Sequence, residues 1–470
     1  MKKYLIIPAS LLLLAFFTGG CKKYLDINSN PNAASEPPIE GLLANTTDLT
    51  AYNVFNISDY TSYYVQYLAS PSINGSTDTY QQVDPSGTWG GIYNVLTDLH
   101  DMNMFAQQKG LVAYEGVANI LTALNLSMSI NVWGDMPYTE AFVGVSNLTP
   151  KYDDQKSLYD TCLALIDKGI AQLQQPDAKG ELDQKSDFIH SGNDSAWILT
   201  AYSLKARLLN QVSKTPDYDA TKVLAAIDKG YTSNNDDAQL TQYIDRNPWA
   251  QVALNNSNLL LDGWLGSYFV NATNGATYGL FDPRLPQITD TTMFLDYRGT
   301  PNGAGYQGIR NTDHAQCYLD KGKWYSSDNS PLLILTNSEV RFIESEAAFR
   351  QGDKSRAYSA YLAGITASMQ KLNVPADSIA KYLANPIVAV GEGGLTLKII
   401  MKEKYVACFL LPVTWVDMRR FDYNYEDFAL PENVTLTTFI RRLDYPSTEI
   451  SRNGANVPTV QRTDHLWWDK

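Results

Sequence analysis

The chain has 470 residues and is 44% hydrophobic, a globular rather than a disordered composition. Its 37 Lys and Arg stand against 50 Asp and Glu, a net charge of −13, and an acidic surface repels phosphate backbones, which argues against nucleic-acid binding. The four cysteines are widely spaced, with no C-x-x-C, and no H-E-x-x-H accompanies the four histidines, so neither a disulfide framework nor a zinc site is written here.

The N-terminus has the layout of an export signal. Lys2 and Lys3 precede an apolar run from Leu5 to Phe17, and Gly19-Gly20-Cys21 follows it. Thirteen residues are too few to span a bilayer as a helix but fit the hydrophobic region of a signal peptide. Residues 1–20 are therefore expected to be removed, which takes the charge to −15. Cys21 would then be the N-terminus and a site for lipid attachment. Residues 21–38, rich in Asn, Ser and Pro, read as a flexible tether.

From residue 39 to 470 the pattern is mainly helical. Apolar residues recur three and four apart in Ile39–Phe55, Tyr93–Phe105, Leu111–Val132, Leu158–Leu173, Ala196–Val212, Val223–Tyr231, Val340–Phe349, Ala357–Leu372 and Leu395–Phe409, with a further candidate at Leu436–Leu443. Thr336 and Glu339 have the spacing of a capping box. Cys162 and Cys408 fall in such stretches, as buried thiols do. Three times an alanine-bearing helix runs to a Gly or Asp turn before the next: Ala118–Val132 to Gly134-Asp135, Ala201–Val212 to Asp217-Tyr218-Asp219, and Ala347-Ala348 to Gly352-Asp353. Small residues let paired helices approach closely, the logic of tetratricopeptide-type repeats. The expected fold is one mainly α domain of such pairs, with long irregular loops on one side.

Those loops are Ser72–Gly91, Tyr243–Tyr278 and Asp296–Pro331, rich in Gly, Asn, Ser and Asp and each carrying Trp or Tyr. Long loops inside a compact protein tend to be functional, and embedded rings argue against disorder. No catalytic motif stands out. Gly303 to Gly308 fits G-x-G-x-x-G but lacks the flanking strand and helix that dinucleotide binding needs. The neighbouring Asp313 and His314 are too few for a metal site, and no metal or cofactor is expected.

A series of motifs, in order, resembles one family. Tyr24-Leu25-Asp26 follows Cys21. Then come Trp133-Gly134-Asp135-Met136-Pro137-Tyr138-Thr139-Glu140-Ala141, Phe281-Asp282-Pro283-Arg284-Leu285-Pro286, and Ser338-Glu339-Val340 running on to Glu344, Glu346 and Ala363-Gly364-Ile365. Lys402-Glu403-Lys404-Tyr405-Val406-Ala407, Trp415-Val416-Asp417-Met418-Arg419-Arg420, Arg442-Leu443-Asp444-Tyr445-Pro446 and Trp467-Trp468-Asp469 complete it. Together they resemble the SusD/RagB family of outer-membrane nutrient-binding lipoproteins, in its SusD-like branch. The departures are Tyr405 at a place more often Trp, Thr18 where the lipobox usually has Leu, and Lys22-Lys23 in place of acidic residues that often accompany surface export.

The resemblance implies a lipid-anchored outer-membrane protein without catalytic activity. It would bind oligosaccharide or polysaccharide and hand it to a SusC-like TonB-dependent transporter. Peptide binding in the same role is an alternative, and a secreted helical glycosidase a more distant one. Glycan sites in the family use rings from loops, because a flat Trp or Tyr stacks on the C–H face of a sugar with little entropy to lose. The candidates are Tyr80 and Trp89 from the first loop, Trp264, Tyr268 and Tyr278 from the second, and Trp324 from the third. Trp133, Trp197 and Trp415 sit at helical spacing and are expected in the core, with Trp467 and Trp468 packed on the body.

Overall fold

The computed structural model describes residues 37–258, 262–310 and 313–470. The leader, Cys21 and most of the tether lie outside that range. Ile39 to Lys470 forms one unit, and the helices α1 (Ile39–Tyr64), α2 (Ser86–Lys109), α3 (Val112–Trp133), α4 (Gln155–Leu173), α5 (Asp194–Gln211) and α6 (Ala220–Ile227) pack each on the next. Two shorter helices, α7 (Pro248–Ser257) and α8 (Ser267–Asn274), lie in the long loop region. The pair α9 (Asn337–Gln351) and α10 (Lys354–Lys371) returns to α6, and α11 (Ala376–Ala384), α12 (Leu397–Ala407), α13 (Val413–Arg420) and α14 (Ser447–Asn453) complete the order.

Small residues and Asp turns build the pairs as the sequence implies. Gly116 of α3 and Gly169 of α4 meet backbone to backbone: a Cβ on Gly169 would stand 2.8 Å from the Gly116 carbonyl oxygen. Gly352 ends α9 in the left-handed region, φ +90°, where glycine alone is unstrained, and the Asp353 carboxylate then accepts the Arg356 N–H at the start of α10. Asp219 caps α6 in the same way. Between α3 and α4 the turn is a long excursion instead, yet Asp135 still accepts the N–H of Gln155, at 2.9 Å, in the first turn of α4. Cys162, Cys317 and Cys408 are buried free thiols.

Three expectations are corrected. Leu436–Leu443 is not helical, and its backbone bonds go to other segments: Arg441 and Arg442 N–H donate to Arg462 O and Leu443 N–H to Val132 O. The Tyr243–Tyr278 stretch holds α7 and α8 rather than loop alone. Thr336 accepts the Glu339 N–H, but the Glu339 carboxylate turns to Arg207, at 2.6 and 2.7 Å, so the capping box is half made.

Two short antiparallel pairs fasten the loops to the helices. Strand β1 (Leu68–Ala69) pairs with β3 (Trp264–Leu265), and β2 (Ala238–Leu240) with β4 (Leu332–Leu335). The C-terminal segment crosses back to the first half of the chain. Leu443 N–H donates to Val132 O at 3.0 Å, the Tyr445 hydroxyl to Asp135 O at 2.8 Å, and Trp467 N–H to the Gln155 side chain at 3.1 Å. Among the described residues no helix is long and apolar enough to cross a membrane.

Candidate functional site

The loop region and the helices beneath it form two clefts that share a wall. The first, about 470 Å³, lies between the Thr277-Tyr278 turn, α12 and the Asn424-Tyr425-Glu426 segment. Tyr278 gives it a partly exposed ring, the buried Tyr361 and Tyr425 back its wall, and Lys398, Lys402 and Glu426 give it charge. The second, also about 470 Å³, is lined by Gln66, Tyr268, Asn271, Thr277, Asp427 and Glu432. Thr277 borders both clefts, and the Tyr268 and Tyr278 hydroxyls stand 3.4 Å apart between them. Burial raises both phenols above their usual range, so they stay protonated donors at neutral pH.

A buried ion network holds the first cleft in shape. Arg284 reaches Asp282 with Nε at 2.9 Å and Nη2 at 2.6 Å, and Glu403 at 2.6 Å. Glu403 in turn accepts from Lys402 at 2.5 Å and from the Tyr382 hydroxyl at 2.7 Å. Burial alone would raise the Glu403 carboxyl, but Lys402 and Arg284 hold it well below the carboxylate range. Lys402 Nζ then sits 5.2 Å from the centre of the Tyr278 ring. The ring is thereby positioned from the core by a chain of charges, a rigid support for stacking.

The floor of the second cleft is tied by amides. Gln66 donates to Ala429 O at 2.7 Å, and Asn302 to Leu68 O and Asp78 at 2.8 and 2.7 Å. Burial pushes the Asp78 carboxyl up to about 7, against three N–H donors from Gly303, Ser70 and Asn302. A third, open groove of about 430 Å³ has Trp324 at its edge with Gln287, Lys323, Asn329 and Asn373 around it. There Trp324 donates its backbone N–H to Gln287 O at 3.0 Å and packs edge-on against Tyr325 at 4.7 Å.

Of the six predicted rings, Tyr278 and Trp324 are partly exposed and line these spaces. Tyr268 is only 5% exposed, but it lines the second cleft. The other three are inside. Tyr80 is fully buried against Tyr64. Trp264, also fully buried, packs on Tyr306 and Tyr318 from within β3. Trp89 packs on Trp133 at 5.1 Å, because α2 begins at Ser86, ahead of the predicted start, and takes the ring into the helix core. No face of these three is offered to a ligand. Sequence reasoning missed Tyr425 and the rest of the Asn424–Glu432 segment. Their signal is the run Phe421-Asp422-Tyr423-Asn424-Tyr425-Glu426-Asp427-Phe428, which mixes rings with polar groups outside the three glycine-rich loops. Among the described residues no group of three or more His, Cys, Asp or Glu is placed to hold a metal ion.

Residues 31–446 match the SusD-like family model described as starch-binding, associating with outer membrane. The chain belongs to this SusD-like family. Solved structures agree on the fold. A SusD homologue from Bacteroides uniformis is 19% identical, covers 92% of this chain and 99% of its own, and has a TM-score of 0.78. A chitin-binding SusD homologue from Flavobacterium johnsoniae is 20% identical over 92% and 98%, with a TM-score of 0.76. A SusD/RagB family protein from Bacteroides thetaiotaomicron is 21% identical over 92% and 99%, with a TM-score of 0.71. No curated protein matches the chain. The SusD-like assignment accounts for the mainly helical architecture and makes a glycan the ligand class at the level of the family.

Proposed function

We propose that this protein is a non-catalytic glycan-binding lipoprotein of the outer membrane that captures oligosaccharide at the Tyr278 clefts and the Trp324 groove and passes it to a SusC-like transporter. The observation that carries the reading is Tyr278: a partly exposed ring, fixed by Lys402 over a buried ion network, between two clefts rimmed with hydroxyls, amides and carboxylates. Such a ring stacks on a sugar face while the neighbouring polar groups take its hydroxyls. Family membership supports the glycan and the outer membrane, and the sequence around Cys21 supports a lipid anchor.

The test is retention of purified protein in native gels containing neutral polysaccharides. Tyr278→Ala and Trp324→Ala are each expected to reduce retention, and wild-type mobility in both variants would sink the assignment. Release of reducing sugar by the pure protein would overturn the non-catalytic part. For the anchor, Cys21→Ala should move the protein from the membrane fraction to the soluble one. Co-purification of the SusC-like barrel with the wild type tests the partnership.

A further inference from the structure

At the floor of the second cleft, segments far apart in sequence meet with no room between them. The stretch Ser70–Asp78, running into the first loop, lies against Asn302–Tyr306 of the third. Asn74 N–H donates to Gly303 O at 3.0 Å, Tyr306 N–H to Pro71 O at 2.8 Å, and Glu432 N–H to Asn302 O at 3.0 Å. A Cβ on Gly303 would overlap the Glu432 carbonyl oxygen, and one on Gly305 would stand 2.6 Å from the Ile73 nitrogen.

One fully buried carboxylate fastens this junction. Asp78 Oδ2 accepts the Ser70 N–H at 2.8 Å and the Gly303 N–H at 3.1 Å, and Oδ1 accepts from Asn302 Nδ2 at 2.7 Å. Asn302 itself lines the cleft. Among the described residues no cation is paired with Asp78. The titratable groups around it are Tyr63 and Asp59 on α1, Tyr80, Asp262 ahead of β3, and the exposed Glu432. Arg462 reaches the Tyr80 carbonyl but is paired with Asp444, at 3.5 Å. Three N–H bonds favour the Asp78 anion, and loss of water disfavours it more. The balance leaves the folded carboxyl at about 7, so it gains and loses its proton around neutrality.

We propose that Asp78 is the positioning residue of the second cleft, a latch that draws Ser70 and Asn302–Gly303 together more firmly when protonated than when charged. Its use in glycan capture rests on the proposed role of that cleft; the latch itself does not. Opening would expose the carboxyl to water and return it to about 3.9. A raised folded value gives closure that is full below the free value and lost as the pH rises through 7. From pH 6 to pH 8 the open fraction should therefore grow about 10-fold.

Hydrogen exchange of the intact mature protein, without ligand, reads this directly. Protection of the Ser70 and Gly303 amides, corrected for intrinsic exchange, should fall about 10-fold between pH 6 and pH 8. In Asp78→Asn, which is neutral throughout, it should be flat. In Asp59→Asn, which removes the neighbouring acid that titrates near 6, the fall should persist. A flat wild-type profile overturns the inference, as does a slope that survives in Asp78→Asn or disappears in Asp59→Asn. Should Asp78→Asn fail to fold, the other two profiles decide. The expected slope in a protein that no polysaccharide gel retains would leave the latch standing and remove the glycan reading.

Discussion

Replacing Arg284 with Met tests how far the site depends on its buried support. Arg284 is fully buried and is the shared cation for Asp282 and Glu403, with three charge-assisted bonds of 2.6 to 2.9 Å and a weaker one to Ser368 at 3.2 Å. Methionine fills much the same volume but leaves two buried carboxylates facing each other with Lys402 as the remaining cation. Removing one member of a buried pair costs about 3–5 kcal/mol because the other is left uncompensated. We expect urea unfolding at pH 7 to show a loss of that size. The sign of the pH dependence follows from Glu403, whose folded pKa is held below its unfolded value. It contributes stability above its unfolded pKa, near 4.3, and that stability is lost as the pH falls through the lower folded value. Protonation in the variant relieves the buried, unpaired charge sooner, so the gap between variant and wild type should narrow in acid. A loss under about 1 kcal/mol at pH 7, or a gap that widens in acid, would refute the claim that this network supports the cleft. Arg284→Lys keeps the charge but cannot span both acids, and should recover only part of the loss.

The buried and the exposed rings should separate by assay. Trp264→Ala should cost about 3–5 kcal/mol in unfolding free energy, as core Trp truncations do, with glycan retention unchanged in the folded fraction. Tyr278→Ala should cost little stability and weaken retention about 3–10-fold, the value of one stacked ring. Gly169→Val should destabilise by about 1–3 kcal/mol, read by denaturant titration, because the new side chain meets the Gly116 backbone and Ile120. Asp59, partly buried beside Asp262, has its carboxyl pushed up to about 6 by burial and by that neighbour. A raised folded pKa gives stability that is full below the unfolded value and lost as the pH rises through 6, so Asp59→Asn should gain about 1 kcal/mol at pH 8 and nothing at pH 4.

The helical array was legible because its signals are local. Asp219 and Asp353 cap the helices they precede, Gly352 closes α9, and alanine and glycine mark the faces that touch. The site was legible only in part. Loop composition picks out Tyr278 and Trp324, which line clefts, and the same rule admits Tyr80, Trp89 and Trp264, which the structure buries. Loop composition says that a segment is irregular; it does not say which side of it faces the core. Trp264 is drawn inward by its pairing with Ala69 across two short strands 195 residues apart in sequence, a contact with no local signature. Trp89 was lost to a helix that starts earlier than its apolar period, since Ser86-Gly87-Thr88 carries no hydrophobic repeat. The Asn424–Glu432 segment lies outside the three glycine-rich stretches that loop composition picks out, and only the fold brings it opposite Tyr278.

The return of the C-terminal segment bears on how the chain reaches this state. Leu443, Tyr445 and Trp467 close onto Val132, Asp135 and Gln155, contacts that span about three hundred residues. The first helices therefore gain their final partners only when the last part of the chain is present. Contacts of such long sequence separation slow folding, because the entropy of closing the loop comes before the contact that rewards it. Until those residues are in place, the α3–α4 end lacks the partners that cover it. A protein built this way keeps that end unsealed until the whole chain is present. Its helices register locally and early; the seal that makes them one body comes last.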